Sequence, residues 1–207
     1  MTDQMTNEPI VFVVDDDHAV RRFLTGLITS IDFQVTACGS AQEFLDVYEP
    51  GRPGCLVLDV RMPGMSGLEL QRELADRSID LPVIILTGHG NVPVAVHAMK
   101  AGALDFVEKP FNNELLLDRI QKAVTQSMRA DTVRVERTEI LTRLESLTPR
   151  ERQIFDTVVG GGVNKVIAHE LAISEKTVEI HRANVMKKMH ATSLASLVLM
   201  SVTARDD

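Results

Sequence analysis

Tryptophan is absent from this 207-residue chain, tyrosine occurs once and cysteine only twice. Cys38 and Cys55 are far apart, and each sits in or beside a strand-like apolar run. They read as small buried apolar residues, which argues against a disulfide framework or a Cys-based metal site. Apolar runs such as IVFVV fall far short of the ~20 residues that span a bilayer, so no membrane segment is expected. The N-terminal MTDQMTNEP has no basic region leading into an apolar stretch, so a secretory signal is not expected and the cytoplasm is the expected location. His18, His89 and His97 have neither paired spacing nor a neighbouring Cys, which argues against zinc. No Walker loop or Gly-rich nucleotide fingerprint occurs.

What is present is an ordinary globular composition, 44% hydrophobic and 25% charged, in a length that fits two domains with a core each. The net charge of −7 is uneven: residues 1–143 hold 14 Lys plus Arg against 21 Asp plus Glu, while residues 144–207 hold 8 against 8. The acidity belongs to the first part. A neutral second part still suits nucleic acid if its cations share one face.

From residue 10 to about 122, short apolar runs alternate with longer segments of helical period, the pattern of a doubly wound α/β domain with a parallel sheet. Five strands are predicted at 10–14, 34–37, 55–58, 82–86 and 104–107. Their Val, Ile and Leu content without polar alternation suits strands buried on both faces, with the weaker second run at an edge. Polar groups close four of these runs: Asp15, Asp16 and Asp17 after VFVV, Asp59 after CLVL, Thr87 after PVIIL, and Lys109 after LDFVE. In such sheets the site lies beyond the carboxyl ends of the strands, so these groups converge.

Residue types then suggest the chemistry. Asp59 opens the turn VRMPGMSG and offers one carboxylate at the mouth of a buried strand, which suits a phosphate acceptor. Because the transferred group is itself anionic, its charge must be neutralised, and Mg²⁺ with hard oxygen ligands does this. Asp16 and Asp59 are the expected direct ligands, with Asp15 acting through water. Lys109 can supply a fixed positive charge to a phosphate oxygen, and the Thr87 hydroxyl can donate to another. A haloacid-dehalogenase phosphatase also uses an aspartyl nucleophile, but would need a second acid where Arg61 stands.

The motifs VFVVDDD, LDVRMPGMSGLEL, ILTGHG and AGALDFVEKPF closely resemble the receiver domain of two-component response regulators, over residues 9–126. The resemblance implies a flavodoxin-like five-stranded fold, phosphoryl transfer from a sensor histidine kinase to Asp59, and an acidic pocket of Asp15 and Asp16. It also implies that the Arg61 carbonyl completes the metal shell, that Thr87 and Phe106 form the switch, and that Lys109-Pro110 is cis. Phe106 stands where many relatives have Tyr, so its inward movement would rest on packing alone. Arg61 and His89 occupy positions at which relatives tune dephosphorylation.

Residues 127–143 read as a helical linker. Thr148-Pro149-Arg150-Glu151 then offers an N-cap, a proline at the first helical position and a capping-box glutamate. Gly160 to Gly162 end that helix, Asn164 is expected to cap a short one, and Ser174 a third that runs to about Met189. A final helix is expected at about 193–203. The short and third helices, joined by a tight turn at Ala172 and Ile173, form a helix-turn-helix candidate in an all-α four-helix domain spanning 144–207. At 100° per residue, Val178, His181, Val185, Met186 and Met189 share the packed side of the third helix, and Lys176, Ile180, Ala183 and Lys187 the opposite side. Glu179 flanks the latter, and Arg182 stands at the edge of the packed side. This is either a solvated amphipathic helix or a reading helix for a major groove.

The block LTPRERQIF, NKVIAHELAIS and EKTVEIHRANVMKKM resembles the LuxR-type helix-turn-helix, and the order of the parts resembles FixJ-type transcriptional regulators. The resemblance implies a phosphorylation-dependent transcriptional response regulator, not an enzyme, whose output is binding to double-stranded promoter DNA. The expected DNA-binding residues are Lys176, Thr177, Glu179, Ile180, Arg182, Ala183 and Lys187. A homodimer forms on phosphorylation in this expectation, with RNA polymerase a further candidate partner. The competing reading has the helical domain dock a protein instead of DNA.

Overall fold

The computed structural model describes residues 8–88 and 92–205. The chain divides into two compact units between Asp131 and Thr132.

The first unit contains β1 (Ile10–Val14), α1 (His18–Thr29), β2 (Gln34–Cys38), α2 (Ala41–Val47), β3 (Gly54–Asp59), α3 (Gly67–Asp76), β4 (Val83–Thr87), α4 (Val92–Lys100) and β5 (Asp105–Glu108). Then α5 (Asn113–Glu145) begins. All strand pairs are parallel, in the order β2-β1-β3-β4-β5. Each central strand sends alternate residues to two separate cores, which is why its sequence is apolar throughout. Val11, Val13, Val57 and Ile84 pack with Leu24 and Ile28 of α1 and Leu116 and Ile120 of α5. Phe12, Val14, Leu56, Leu58 and Ile85 face Phe44 of α2, Leu70 and Leu74 of α3 and Ala98 of α4. Phe12 and Phe44 meet edge to face, with ring centroids 5.1 Å apart. Each fully buried Leu or Phe side chain contributes roughly 1.5–3 kcal/mol, so this two-sided core supports the strand ends that carry the polar groups.

Local signals fix the helix starts. Asp17 caps α1, Ser40 caps α2, and Ser66 forms a reciprocal capping box with Glu69 at α3. Burial pushes the Cys55 thiol up to about 12 and is the main reason Cys38 rises to about 11, so both stay protonated and apolar.

The second unit holds the end of α5, then α6 (Pro149–Val159), α7 (Asn164–Glu170), α8 (Glu175–Lys188) and α9 (Leu194–Thr203). Ile140, Leu144, Ile154, Phe155, Ile167, Val178, Val185, Met189 and Leu197 form its core. Residues 127–143 lie within α5, which runs unbroken from Asn113 to Glu145. Its middle has no Gly or Pro to interrupt the hydrogen-bond ladder. Asn164 does not cap α7: Val163 occupies the cap without a side-chain bond, and Asn164 is the first helical residue. Its Oδ1 instead accepts from Arg182 Nη1 at 2.9 Å, a tertiary partner that local capping rules cannot anticipate.

At α6 the predicted capping box is present, and Glu151 has a further role. Its buried carboxylate accepts from Lys188 Nζ of α8 at 2.7 Å and from the Thr148 N–H at 2.8 Å. The Lys188 hydrogen bond first, and then the Thr148 backbone, hold its carboxyl below the ordinary range. A depressed carboxylate contributes stability that is present above the unfolded value of ~4.3 and is lost as pH falls through the folded value. Glu151→Ala should destabilise the second unit by about 2 kcal/mol at neutral pH through loss of both cap and pair. Urea unfolding followed from pH 6 to pH 3 should show the gap between variant and wild type closing on the acid side.

Candidate functional site

The strand order reverses between β1 and β3, and the polar site opens at the carboxyl ends of these strands, as doubly wound sheets require. Asp15 follows β1 and is buried, Asp59 ends β3 and is buried, and Thr87 ends β4 and is buried. Lys109 follows β5 and bridges the two acids: its Nζ donates to Asp15 Oδ2 at 2.6 Å and to Asp59 Oδ1 at 2.8 Å. The Lys109 N–H donates to the Thr87 carbonyl at 2.8 Å, which ties the ends of β4 and β5 together. The Lys109-Pro110 bond is cis. Burial pulls the Lys109 ammonium pKa down, but hydrogen bonds and charge from Asp15 and Asp59 outweigh that and leave it raised. The ammonium therefore stays charged throughout the neutral range.

The remaining carboxylate oxygens are held by backbone. Asp59 Oδ2 accepts from the Arg61 N–H at 2.6 Å, and Asp15 Oδ1 from the Asp17 N–H at 2.9 Å. Asp16 is exposed beside them, whereas Asp17 is committed to capping α1. Phe106 is half-buried against the core on the α2, α3 and α4 face. His89 lies outside the described residues.

Two further residues shape this site without having been singled out from sequence. Arg21 Nη1 donates to the Asp15 carbonyl at 2.6 Å and so steadies the acidic loop from α1. Gly67, at the start of α3, comes so close to β3 that an added Cβ would lie 2.1 Å from the Asp59 carbonyl oxygen. Gly67→Ala should therefore displace the Asp59 backbone and cost about 1–3 kcal/mol, the range for overpacking. Denaturant unfolding checks the stability loss.

A metal ion has a defined electrostatic reason to enter. Asp15, Asp16 and Asp59 bring three negative charges against one lysine ammonium, a deficit that a divalent cation would balance. Among the described residues no three His, Cys, Asp or Glu side chains converge as a complete cage. Mg²⁺ needs none, since it retains several waters and takes one or two carboxylates. The residues present fit it.

The second cluster lies on α8. Lys176, Glu179, Ile180, Ala183 and Lys187 are all exposed on one face, with Ile180 56% exposed despite its apolar side chain. Asn184, also exposed beside them, was not picked out by the charge pattern. Two expected members stand elsewhere. Arg182 is half-buried and bonded to Asn164, and the Thr177 hydroxyl is engaged with Ser174 Oγ at 2.8 Å, at the cap of α8. In the structure these contacts join α7 to α8 and help start α8. His181 is half-buried on the packed side.

With this geometry in hand, comparison with known proteins gives concordant matches. Residues 11–121 match the response regulator receiver domain family, and residues 145–201 match the luxR family of bacterial regulatory proteins. The chain is 45% identical to Nodulation protein W of Bradyrhizobium diazoefficiens, over 97% of this chain and 88% of that protein. It is 47% identical to the transcriptional regulatory protein FixJ of Rhizobium meliloti, over 93% of this chain and 94% of that one. Among solved structures, the response regulator StyR superposes with a TM-score of 0.87 at 44% identity, covering 94% of this chain and 98% of that chain.

Proposed function

The chain belongs to the FixJ-type response regulators, which join a receiver to a LuxR-family DNA-binding domain, and on that footing we propose that Asp59 is the phosphoacceptor controlling promoter binding through α8. It is a phosphorylation-dependent transcriptional regulator. The observation that carries the assignment of Asp59 is the Lys109 bridge, which joins two buried carboxylates at the switch point of the sheet, beside Thr87.

In this reading a histidine kinase presents its phosphohistidine to the pocket. An Asp59 carboxylate oxygen forms the new O–P bond as the donor P–N bond breaks and its electron pair returns to the imidazole. Lys109, held near both carboxylates, follows the charge from the Asp59 oxygen to a phosphoryl oxygen. Thr87 then donates its hydroxyl to another oxygen, and Phe106 packs into the space this movement opens. Asp16 and Asp59, with the Arg61 carbonyl and Asp15 through water, would hold Mg²⁺, which supplies charge neutralisation of the transferring group when bound. Autodephosphorylation, with Arg61 at the mouth of the pocket governing water access, belongs to the same proposal.

Rearrangement at Thr87 and Phe106 reaches the surface of α4 and β5, where Val92, Val96 and Met99 are exposed. Pairing of two receivers through that surface presents two α8 helices to two half-sites, so a modest gain in association switches occupancy steeply. Lys176 and Lys187 meet phosphates, and Ile180, Ala183 and Glu179 face base edges. The bound dimer would act on RNA polymerase in the cytoplasm; among the described residues no helix is long and apolar enough to cross a membrane. Intact mass after incubation with acetyl phosphate and Mg²⁺ tests the first step: a gain of one phosphoryl group supports it, and no gain where a control receiver is labelled refutes it.

A further inference from the structure

Helix α4 is weakly anchored by apolar packing. Its one buried side chain is Ala98, while Val92 stands largely in solvent and Val96 and Met99 are about half exposed. Near its C-terminal end lies an open cleft of about 390 Å³, lined by Gln71, Leu74 and Ala75 of α3 and by Ala101 and Gly102, which follow α4. Polar contacts therefore matter more than usual in holding it.

Two of those contacts share one carbonyl, beside a looser approach of Arg72 Nη2 on α3 to His97 Nε2 at 3.5 Å. The end of α4 turns through Gly102, at φ +90°, with the Ala103 N–H donating to the Ala98 carbonyl at 3.0 Å and the Gly102 N–H to the Met99 carbonyl at 3.1 Å. The same Ala98 carbonyl accepts a second bond, at 3.0 Å, from Gln71 Nε2 of α3. Gln71 is 3% exposed, and its Oε1 is buried without a partner among the described residues. A buried amide with one unpaired end is costly, and an apolar side chain of similar size would avoid that cost. Gln71 also lies one helical turn after Gly67, the residue pressed against the Asp59 carbonyl, whose N–H donates to the Val60 carbonyl at 3.0 Å. Asp59, Gly67, Gln71 and Ala98 thus form a continuous connection from the acceptor strand to the far end of α4, separate from Thr87 and Phe106.

We propose that Gln71 is a positioning residue: through the Ala98 carbonyl it holds the C-terminal end of α4 and sets the point about which that helix moves. The proposal rests on the reading of α4 and β5 as the surface that responds to Asp59. One end of α4 starts at Val92, soon after Thr87 in sequence; the other is pinned by Gln71. Phosphorylation then produces a rotation of α4 about a fixed end instead of a loss of the helix.

Hydrogen exchange on the full-length protein tests this, using wild type, Gln71→Leu and Gln71→Met, each with and without acetyl phosphate and Mg²⁺. Intact mass reports the labelled fraction in parallel. The amides of α4 should exchange about fivefold faster in both unlabelled variants, the worth of one net hydrogen bond, while β1, β3 and β4 keep their protection. Unchanged α4 exchange in both variants would overturn the proposal while leaving the phosphorylation reading intact. Uniform acceleration across the receiver in both variants would reduce Gln71 to ordinary packing and overturn it as well. Labelled wild type whose α4 exchange does not change would remove the responding surface itself, a distinct pattern that overturns the reading and the proposal together.

Discussion

Asp59→Asn is expected to abolish the one-phosphoryl mass gain seen when the wild type is incubated with acetyl phosphate and Mg²⁺, while the receiver stays folded. The substitution is nearly isosteric. An amide oxygen can still accept the Arg61 N–H, as Asp59 Oδ2 does at 2.6 Å, and the apolar environment of β3 is untouched. What is lost is the anionic oxygen proposed to bond to phosphorus, together with the acceptor for Lys109 Nζ at Oδ1, so the effect falls on the chemistry of the pocket and not on the core. Two companions separate the roles. Asp15→Asn keeps the acceptor but removes one of the negative charges that favour a divalent cation, so labelling should persist and require more Mg²⁺. Lys109→Ala leaves Asp15 and Asp59 facing each other without their shared ammonium, and should slow labelling by about 10²-fold, the usual worth of one preorganised charge donor. Full labelling of Asp59→Asn would place the acceptor elsewhere and refute the assignment. A Lys109→Ala rate equal to wild type would show that the lysine serves the fold alone.

Continuous apolar runs made the central strands readable, because a strand buried on both faces leaves no room for alternation, and the polar residue that ends four of the five runs marks the site edge. That logic fails for contacts made between elements. Arg21 carries no special signal in sequence, yet it holds the Asp15 carbonyl. Gly67 looks like a turn glycine until the approach of α3 to Asp59 gives the need for a missing Cβ. Gln71 lies within an ordinary amphipathic helix and becomes notable only when Ala98 comes to face it. In the second unit, helical angles placed Arg182 at a boundary, and only the position of Asn164 turns it toward α7. Periodicity gives direction around a helix; it does not give the partner waiting there.

On α8 the largest expected effect comes from Lys176→Ala combined with Lys187→Ala. Both residues are exposed on the face that carries Ile180 and Ala183, and α8 keeps its cap at Ser174 and its tie from Lys188 to Glu151 when they are removed. Each lysine that meets a phosphate releases about one counterion, so the plot of log affinity against log salt should become shallower by about two for each bound protomer. Affinity should fall on the order of tenfold or more per protomer near ~150 mM salt, equally for cognate and unrelated DNA. Ile180→Ala should behave differently. Loss of an apolar contact to a thymine methyl leaves the salt slope alone and costs about 1 kcal/mol only at sites that carry that base. Fluorescence anisotropy on operator and scrambled duplexes, from ~50 to ~200 mM salt, separates the two effects. If the double lysine variant kept the wild-type slope, the exposed face of α8 would be free of phosphates, and docking of a protein partner there would become the better reading. If the slope falls and Ile180→Ala still discriminates between duplexes, the lysines anchor the helix on the backbone while its centre reads sequence, a division of labour that follows from where charge and apolar surface stand on a single helical face.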